Sequence, residues 1–249
     1  MRISRNRLIA MATGLFLFVL LANAPARIVG YVLADSGVVA SGYSGTLWRG
    51  QMKSLVVPVS GQQLQLGAVD WRLSPWSLLL LNANTQFHTS WGRQKVSAEL
   101  SLSPWRDMVL RDLELTVSAR LVRLFLPVEL RGMARLTAEQ LELSQQGLEG
   151  GAGRLVWERA RWVGNRNRQA LGSYVLEFTV NGSNQVRGQV SSLVGPVIVE
   201  GDVELRGSEY DVDLKIRSEE GLSSDPRSAL ELMAAATHSG YHVKFSSVF

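Results

Sequence analysis

The sequence predicts a mainly β protein, in which a single N-terminal transmembrane helix precedes a curved antiparallel sheet with one or two short helices. Three observations support this fold class. Arginines precede an apolar run at residues 8–24, hydrophobic residues behind Pro25 recur with a period of two, and glycines separate the alternating segments. Such a period is typical of strands with one solvated face, and the glycines are typical of the turns between strands. We expect the sheet to form a meander, a sandwich or a groove.

The apolar run is the first element. As a helix, residues 8–24 would span about 25 Å, which is near the lower limit for crossing the hydrocarbon core of a bilayer. The sequence ANA at residues 22–24 imitates the small-residue site of a cleaved signal peptide, but Pro25 follows directly and obstructs cleavage. A retained anchor is therefore favoured over a cleaved signal.

Three arginines of the N-terminal tip set the orientation of this anchor. The formal net charge of the chain is +4, and Arg2, Arg5 and Arg7 carry three of those charges. The positive-inside rule keeps residues 1–7 in the cytoplasm and places residues 25–249 across the membrane. In a bacterium that space is the periplasm, so we expect a single-pass inner-membrane protein with a β-rich periplasmic domain.

Alternating hydrophobicity defines the strands of the β domain. It is clearest in five segments, at residues 96–102, 112–119, 174–180, 210–217 and 241–245. The dipeptide Asn181-Gly182 predicts a tight hairpin, because both residues tolerate the backbone conformation of that turn. The alternation changes phase near Gly67, which predicts a β-bulge there.

Helical signals are few. The clearest lies near the C-terminus, where Ser224 or Asp225 can cap a helix, Pro226 fits its first turn, and strong helix formers continue to Gly240. A second, short candidate lies at residues 119–125.

Two short motifs occur twice. LSPW is found at residues 73–76 and 102–105, and VELRG at residues 128–132 and 203–207. These matches favour reuse of strand–turn units, as in two similar β halves.

The chain offers little for catalysis. It has no cysteine, which excludes disulfides, thiolate nucleophiles and cysteine-ligated zinc. Among the three histidines, His88, His238 and His242, the last two have i,i+4 spacing, but Gly240 breaks a helix between them and removes the geometry of a paired metal site. Asp211 with Asp213 is better explained by a solvated strand face than by a catalytic pair. No P-loop, nucleophile elbow or dinucleotide glycine motif is present. The sequence predicts no enzyme, no cofactor, no metal and no nucleic-acid partner.

A segment rich in arginine and tryptophan, residues 153–169, is the most distinctive surface candidate. Its arginines are Arg154, Arg159, Arg161, Arg166 and Arg168. They could contact anionic lipid headgroups or an acidic partner. The simpler interpretation is a strand with Trp157 and Trp162 inside and the arginines outside, ending in a hairpin.

Three ordered motifs carry a family resemblance. The first is GTLWRG, with Gly45, Thr46, Leu47, Trp48 and Gly50; the second contains Trp71, Leu73 and Pro75; the third contains Gly240 and Tyr241. In this order, behind an apolar N-terminus, they resemble protein N of the bacterial type II secretion system. The resemblance implies an accessory, non-enzymatic part of the inner-membrane assembly, which supports export of folded periplasmic proteins and binds platform and periplasmic subunits of the machinery.

Two other classes of function compete with this one. A long sheet with one apolar face can form a groove for acyl chains, as in bridge-like lipid-transport proteins of the envelope, and phospholipid would then be a partner. An envelope hydrolase is disfavoured, because no nucleophile motif is present.

The first motif also carries a structural expectation. Residues 44–50 can form a short strand between two glycine turns. We expect Trp48 to pack on the apolar side of the sheet, near its start.

Overall fold

The computed structural model describes residues 5–34, 37–59, 62–79, 82–103, 107–119, 130–144, 146–164, 168–182, 184–218, 221–237 and 240–248. Two helices open the chain, α1 at Arg5–Ala22 and α2 at Arg27–Leu33. Within these residues, no helix combines the length and the apolar character needed to cross a membrane. The predicted transmembrane anchor is therefore unconfirmed.

A single antiparallel sheet accounts for most of the remaining chain, which confirms the mainly β fold class. Its strands are β1 (Val39–Ser41), β2 (Ser44–Gly45), β3 (Arg49–Val59), β4 (Gln62–Leu73), β5 (Ala83–Trp91), β6 (Gln94–Leu102), β7 (Met108–Ser118), β8 (Leu130–Ser144), β9 (Gly147–Val163), β10 (Arg168–Asn181), β11 (Gln185–Val194), β12 (Val197–Arg206), β13 (Glu209–Ser218), β14 (Ala235–Thr237) and β15 (Gly240–Val248).

The strands are ordered as an open meander. From β3 to β13 each strand pairs with the next one in sequence, and β15 then pairs with β13. β1 and β14 lie at the two edges, and β2 pairs with β3 off the main path. Successive strands run in opposite directions, so the connections alternate between two ends of the sheet. We call the end that holds the β2–β3 turn, adjacent to α1, the proximal end, and the opposite one the distal end.

The alternation of apolar and polar residues in the sequence gives the sheet two chemically distinct faces. One row of paired residues, which we call the apolar row, crosses the sheet through Met52, Val69, Thr89, Val96, Leu115, Leu136, Leu155, Leu176, Val190, Gly201, Leu214 and Val243. The adjacent polar row consists of Ser44, Gln51, Asp70, His88, Ser97, Glu114, Thr137, Arg154, Glu177, Gln189, Asp202, Asp213 and Lys244. The alternation is thus in register across the sheet, as antiparallel pairing requires.

Bulges change the phase of the alternation within individual strands. The predicted bulge near Gly67 is confirmed, because the β3–β4 register shifts where Leu55 pairs with Gly67. Asp112 in β7 and Arg159 in β9 have φ angles of 49° and 52°, and the pairing register shifts beside each of them. Each bulge places one extra residue in its strand. The apolar residues on both sides of the bulge therefore face the same side of the sheet, although the sequence alternation changes phase.

The predicted hairpin joins β10 to β11, but its turn is wider than Asn181-Gly182. Asn181 still belongs to β10, and the N–H of Gln185 donates to the Gly182 carbonyl oxygen at 3.0 Å. Gly182 has a φ of 62°, which glycine adopts without steric cost. Ser183 lies outside the described residues.

Two further helices interrupt the meander. α3, at Pro75–Leu79, joins β4 to β5 and was not predicted. α4, at Ser224–Met233, confirms the predicted C-terminal helix, but it ends before Gly240. Residues 235–237 instead form β14, because pairing with the edge of β15 supplies their backbone hydrogen bonds. The candidate helix at residues 119–125 falls almost entirely outside the described residues.

Candidate functional site

The GTLWRG segment forms the turn between β2 and β3, rather than the expected short strand. The backbone N–H of Thr46 donates to the carbonyl oxygen of Arg49 at 2.9 Å, and the N–H of Arg49 donates to Thr46 Oγ1 at 3.2 Å. Gly45 has a φ of 85°, and a β-carbon there would lie 2.5 Å from the Arg49 oxygen. This position therefore requires glycine.

The same turn holds the chain that follows α1 against the sheet. The N–H of Leu47 donates to the carbonyl oxygen of Ala24 at 2.8 Å. The N–H of Ala26 donates to the carbonyl oxygen of Gly45 at 3.2 Å. Trp48 reaches farther, since its indole Nε1 donates to the carbonyl oxygen of Leu21 at 3.0 Å. The turn is thus a structural junction between α1 and the β domain.

Trp71, not Trp48, is the buried tryptophan of this junction. Its side chain is only 6% exposed and packs with Ala26, Met52 and Val69, whereas Trp48 is half-buried. A β-carbon on Gly50 would overlap the Trp71 ring, so glycine makes room for the indole. The expectation that Trp48 packs on the apolar side of the sheet is wrong. Trp48 lies in the turn between β2 and β3, and Trp71 of β4 fills the apolar side instead.

The remaining family-motif residues occupy two distant places. Leu73 ends β4, where its N–H donates to the Trp48 carbonyl oxygen at 2.8 Å, and Pro75 begins α3 beside it. Gly240 and Tyr241 begin β15, near the opposite edge of the sheet. The structure therefore joins the first two motifs into one junction and leaves the third apart.

A cleft of about 1430 Å³ lies over the polar face of β7 to β12. Six carboxylates line it, from Asp112, Glu114, Glu139, Glu177, Asp202 and Glu204. Three arginines, Arg154, Arg187 and Arg206, also line it. The lining therefore has a formal net charge of −3, with the two signs interspersed.

Ion pairs organise the arginines of this cleft. Arg154 lies 3.7 Å from Glu177, and Glu204 accepts hydrogen bonds from Arg187 at 2.7 Å and from Arg206 at 2.5 Å. These two hydrogen bonds lower the pKa of Glu204, since they stabilise its charged form. The other carboxylates of the lining leave the surface acidic around these pairs. Such a surface is suited to a partner that carries positive charge.

The predicted arginine segment does not form one cluster. Arg154 lines the cleft, whereas Arg161 and Arg168 lie near the distal end of β9 and β10. Arg161 pairs in register with Arg131 of β8, which places two positive charges directly opposite each other. Arg159 occupies the bulge, where its backbone N–H donates to Ser173 Oγ at 3.1 Å. Arg166 lies outside the described residues.

The histidines are dispersed. His88 belongs to the polar row, His238 lies outside the described residues, and His242 Nε2 lies 2.7 Å from Asp213 Oδ1. Within the described ranges, no group of three or more histidine, aspartate or glutamate residues is arranged to hold a metal ion. The Asp213–His242 pair was not predicted, because the two residues are 29 positions apart and meet only through the pairing of β13 with β15.

Comparison with known proteins identifies relatives for most of the chain. The family model for type II secretion system (T2SS) protein N matches residues 36–244. The type II secretion system protein N of Vibrio cholerae serotype O1 is 28% identical over 169 residues, which are 63% of this chain and 65% of that protein. The protein of the same name from Klebsiella pneumoniae is 28% identical over 149 residues, 57% of this chain and 56% of that protein. The chain thus aligns with less than two thirds of the length of each relative. No solved structure matches.

Proposed function

This chain belongs to the family of type II secretion system protein N, and from that membership we propose that it is an accessory component of the type II secretion machinery, which supports export of folded periplasmic proteins across the outer membrane. It acts through protein–protein contacts of its β domain, without catalysis and without a cofactor. The family match over residues 36–244 carries the proposal, because it spans nearly the whole sheet.

The proposal includes an inner-membrane anchor formed by residues 8–24. Residues 11–22 of α1 are all exposed, and Leu15, Phe16 and Phe18 are among them. A helix that exposes apolar side chains on every side is suited to a lipid environment. With residues 1–7 in the cytoplasm, the β domain at residues 25–249 lies in the periplasm.

The charged cleft is the proposed contact surface for another secretion subunit, from the inner-membrane platform or the periplasm. Its net charge of −3 favours a partner segment that carries lysine or arginine. Glu114, Glu177 and Asp202 belong to the polar row, so one extended segment crossing the strands would meet them in succession.

The distal arginines support a second contact, with an acidic partner. β9 has 17 residues and therefore extends for about 55 Å at the usual rise per strand residue. Arg161 and Arg168 lie near its distal end, whereas α1 adjoins the proximal end. An acidic partner would neutralise these charges.

Site-specific photo-crosslinking tests the cleft in cells that carry the whole machinery. A photoreactive residue at Gln189, inside the cleft, should give a crosslink to a secretion subunit. The same residue at Glu231, exposed on α4 and outside the cleft, is the matched control.

Charge reversal tests whether that contact supports export. Glu177→Lys together with Asp202→Lys should leave folded export substrate in the periplasm, whereas Glu231→Lys should not. Normal export by a strain that lacks this chain altogether would contradict the proposed function. Normal export by the double variant alone would contradict only the choice of the cleft.

One observation favours a second candidate function, lipid binding. Leu136, Leu155 and Leu176 of the apolar row are only half-buried, and no second sheet packs over them among the described residues. Phospholipid that co-purifies with the full chain in detergent, and is lost from the Leu155→Glu variant, would favour this function. Equal phospholipid in both proteins would count against it.

A further inference from the structure

Large apolar side chains are exposed on two short helices that begin at the proximal end of the sheet, outside the charged cleft. Trp76 on α3 is 76% exposed and Tyr31 on α2 is 82% exposed. Leu78 and Ile28, on the same two helices, are exposed as well. The opposite side of α2 is occupied, since Val29 and Leu33 pack against the core beneath the helix. Both short helices therefore present apolar side chains to a surface that the fold itself does not cover.

Hydrogen bonds place the starts of these helices next to the end of α1. The indole Nε1 of Trp48 donates to the Leu21 carbonyl oxygen in the last turn of α1. The Trp48 carbonyl oxygen accepts from the N–H of Leu73, which lies three residues before Trp76 of α3. α2 begins five residues after α1 ends. α2 and α3 thus both begin beside the point where α1 meets the β domain.

Unneutralised positive charge lies at the same end. Arg49 and Arg72 are paired directly opposite each other in β3 and β4, and Arg27 begins α2. All three are exposed, and none has a carboxylate within salt-bridge distance in the described part of the chain. Like charges paired across strands are unfavourable unless anions neutralise them.

We propose that this proximal end is a seat for an anionic phospholipid surface, formed by Ile28, Tyr31, Trp76 and Leu78 with Arg27, Arg49 and Arg72. Tryptophan and tyrosine prefer the boundary between headgroups and acyl chains, and arginines near an anionic surface add favourable attraction. The seat rests on the proposed anchor, because α1 brings the membrane to this end. Its role is to fix the orientation of the β domain on the membrane.

The lack of cysteine allows a test by spin labelling without background. Three single variants of the full chain are labelled: Leu78→Cys in the seat, Arg93→Cys in the distal β5–β6 turn and Leu17→Cys in α1. The chain is reconstituted into vesicles of phosphatidylcholine with phosphatidylglycerol. Label accessibility is then measured toward oxygen, which concentrates in lipid, and toward a water-soluble nickel complex.

The seat predicts that the Leu78 label favours oxygen and that the Arg93 label favours nickel. Trp76→Ser should shift the Leu78 label toward nickel, whereas Trp91→Ser, which replaces a 43% exposed tryptophan at the distal end, should not. In vesicles of phosphatidylcholine alone, or with Arg49→Gln and Arg72→Gln, the preference of the Leu78 label for oxygen should weaken.

Three outcomes would overturn the seat. A Leu78 label as accessible to nickel as the Arg93 label would place the proximal end in water. A Leu78 label shielded from both reagents would show that protein covers the surface instead. A Leu17 label that favours nickel would remove the anchor along with the seat. With the Leu17 label in lipid, either of the first two outcomes would contradict the seat alone.

Discussion

Trp71 donates a hydrogen bond from its indole Nε1 to the carbonyl oxygen of Leu47, at 3.0 Å. This bond joins the buried tryptophan of β4 to the turn that holds the chain after α1. Trp71→Ala should lower the free energy of unfolding by about 3–5 kcal/mol, because it removes a buried aromatic side chain and leaves a cavity. Urea denaturation of the full chain in detergent measures this change.

Trp48→Ala is the matched control in the same junction. The Trp48 side chain is half-buried, so this variant should lower the free energy of unfolding by only about 1 kcal/mol. A loss at Trp48 that equals the loss at Trp71 would contradict the assignment of Trp71 as the buried anchor.

Gly153 and Gly150 lie in the same strand but face different surroundings. A β-carbon on Gly153 would lie 2.5 Å from Phe178 Cζ and 2.9 Å from the Thr137 carbonyl oxygen, whereas one on Gly150 would meet only the flexible side chain of Glu142. Gly153→Ala should therefore cost about 1–3 kcal/mol of unfolding free energy, since the aromatic ring must move. Gly150→Ala should be close to neutral in the same denaturation experiment, and an equal cost at both sites would refute the packing explanation.

Tyr174 should make stability depend on alkaline pH. Its hydroxyl is buried and donates to the Val197 carbonyl oxygen at 3.0 Å, and burial raises its pKa to about 12. A tyrosine in the unfolded chain has a pKa of about 10. The folded state therefore binds this proton more tightly than the unfolded chain does. Protonated Tyr174 contributes fully to the free energy of unfolding below about pH 10, and this contribution is lost as the pH rises toward 12.

The Tyr174→Phe variant should lack this part of the pH dependence. Unfolding free energies of the two proteins, measured from neutral pH to about pH 12, should differ most at neutral pH and converge as the pH rises. Tyrosinate absorbance of the native protein offers a separate check. A difference between the two proteins that stays constant with pH would contradict the shifted pKa.

Gln169 should hold the start of α4 in place. Its Oε1 accepts hydrogen bonds from the N–H and the hydroxyl of Ser223, both at 2.8 Å, and its Nε2 donates to the Gly221 carbonyl oxygen at 3.1 Å. Gln169→Ala should cost about 1–3 kcal/mol and speed amide exchange in α4, because these partners lose their bonds.

Gln185→Ala, at an exposed position of β11, provides the comparison for that change. It should leave amide exchange in α4 unchanged. If α4 exchanges as slowly in Gln169→Ala as in the native protein, then Gln169 does not anchor the helix.

The strands and their faces could be predicted from sequence, because the alternation of side chains in a strand is local and each antiparallel neighbour repeats it. The position of the β10–β11 hairpin and the bulge near Gly67 were predictable for a similar reason, since backbone conformation limits which residues fit there. The width of that hairpin turn was not, because Asn181 stays in β10. The family followed from the order of three short motifs.

The candidate sites were less predictable. The sequence marked Arg154 to Arg168 as one basic segment, but the bulge at Arg159 and the length of β9 divide it between the cleft and the distal end. The exposure of Trp76 also depends on which side of α3 the sheet occupies, and composition does not encode that side.

By itself, the sequence determined that this chain is a β meander with one apolar and one polar face, behind an apolar N-terminal helix. Only the tertiary structure decided which of two nearby tryptophans is buried, since Trp71 lies in a strand and Trp48 in a turn. It also decided that residues 235–237 leave α4 to pair with β15. Both outcomes depend on contacts between segments that are distant in sequence, where hydrogen bonds and packing outweigh local preference.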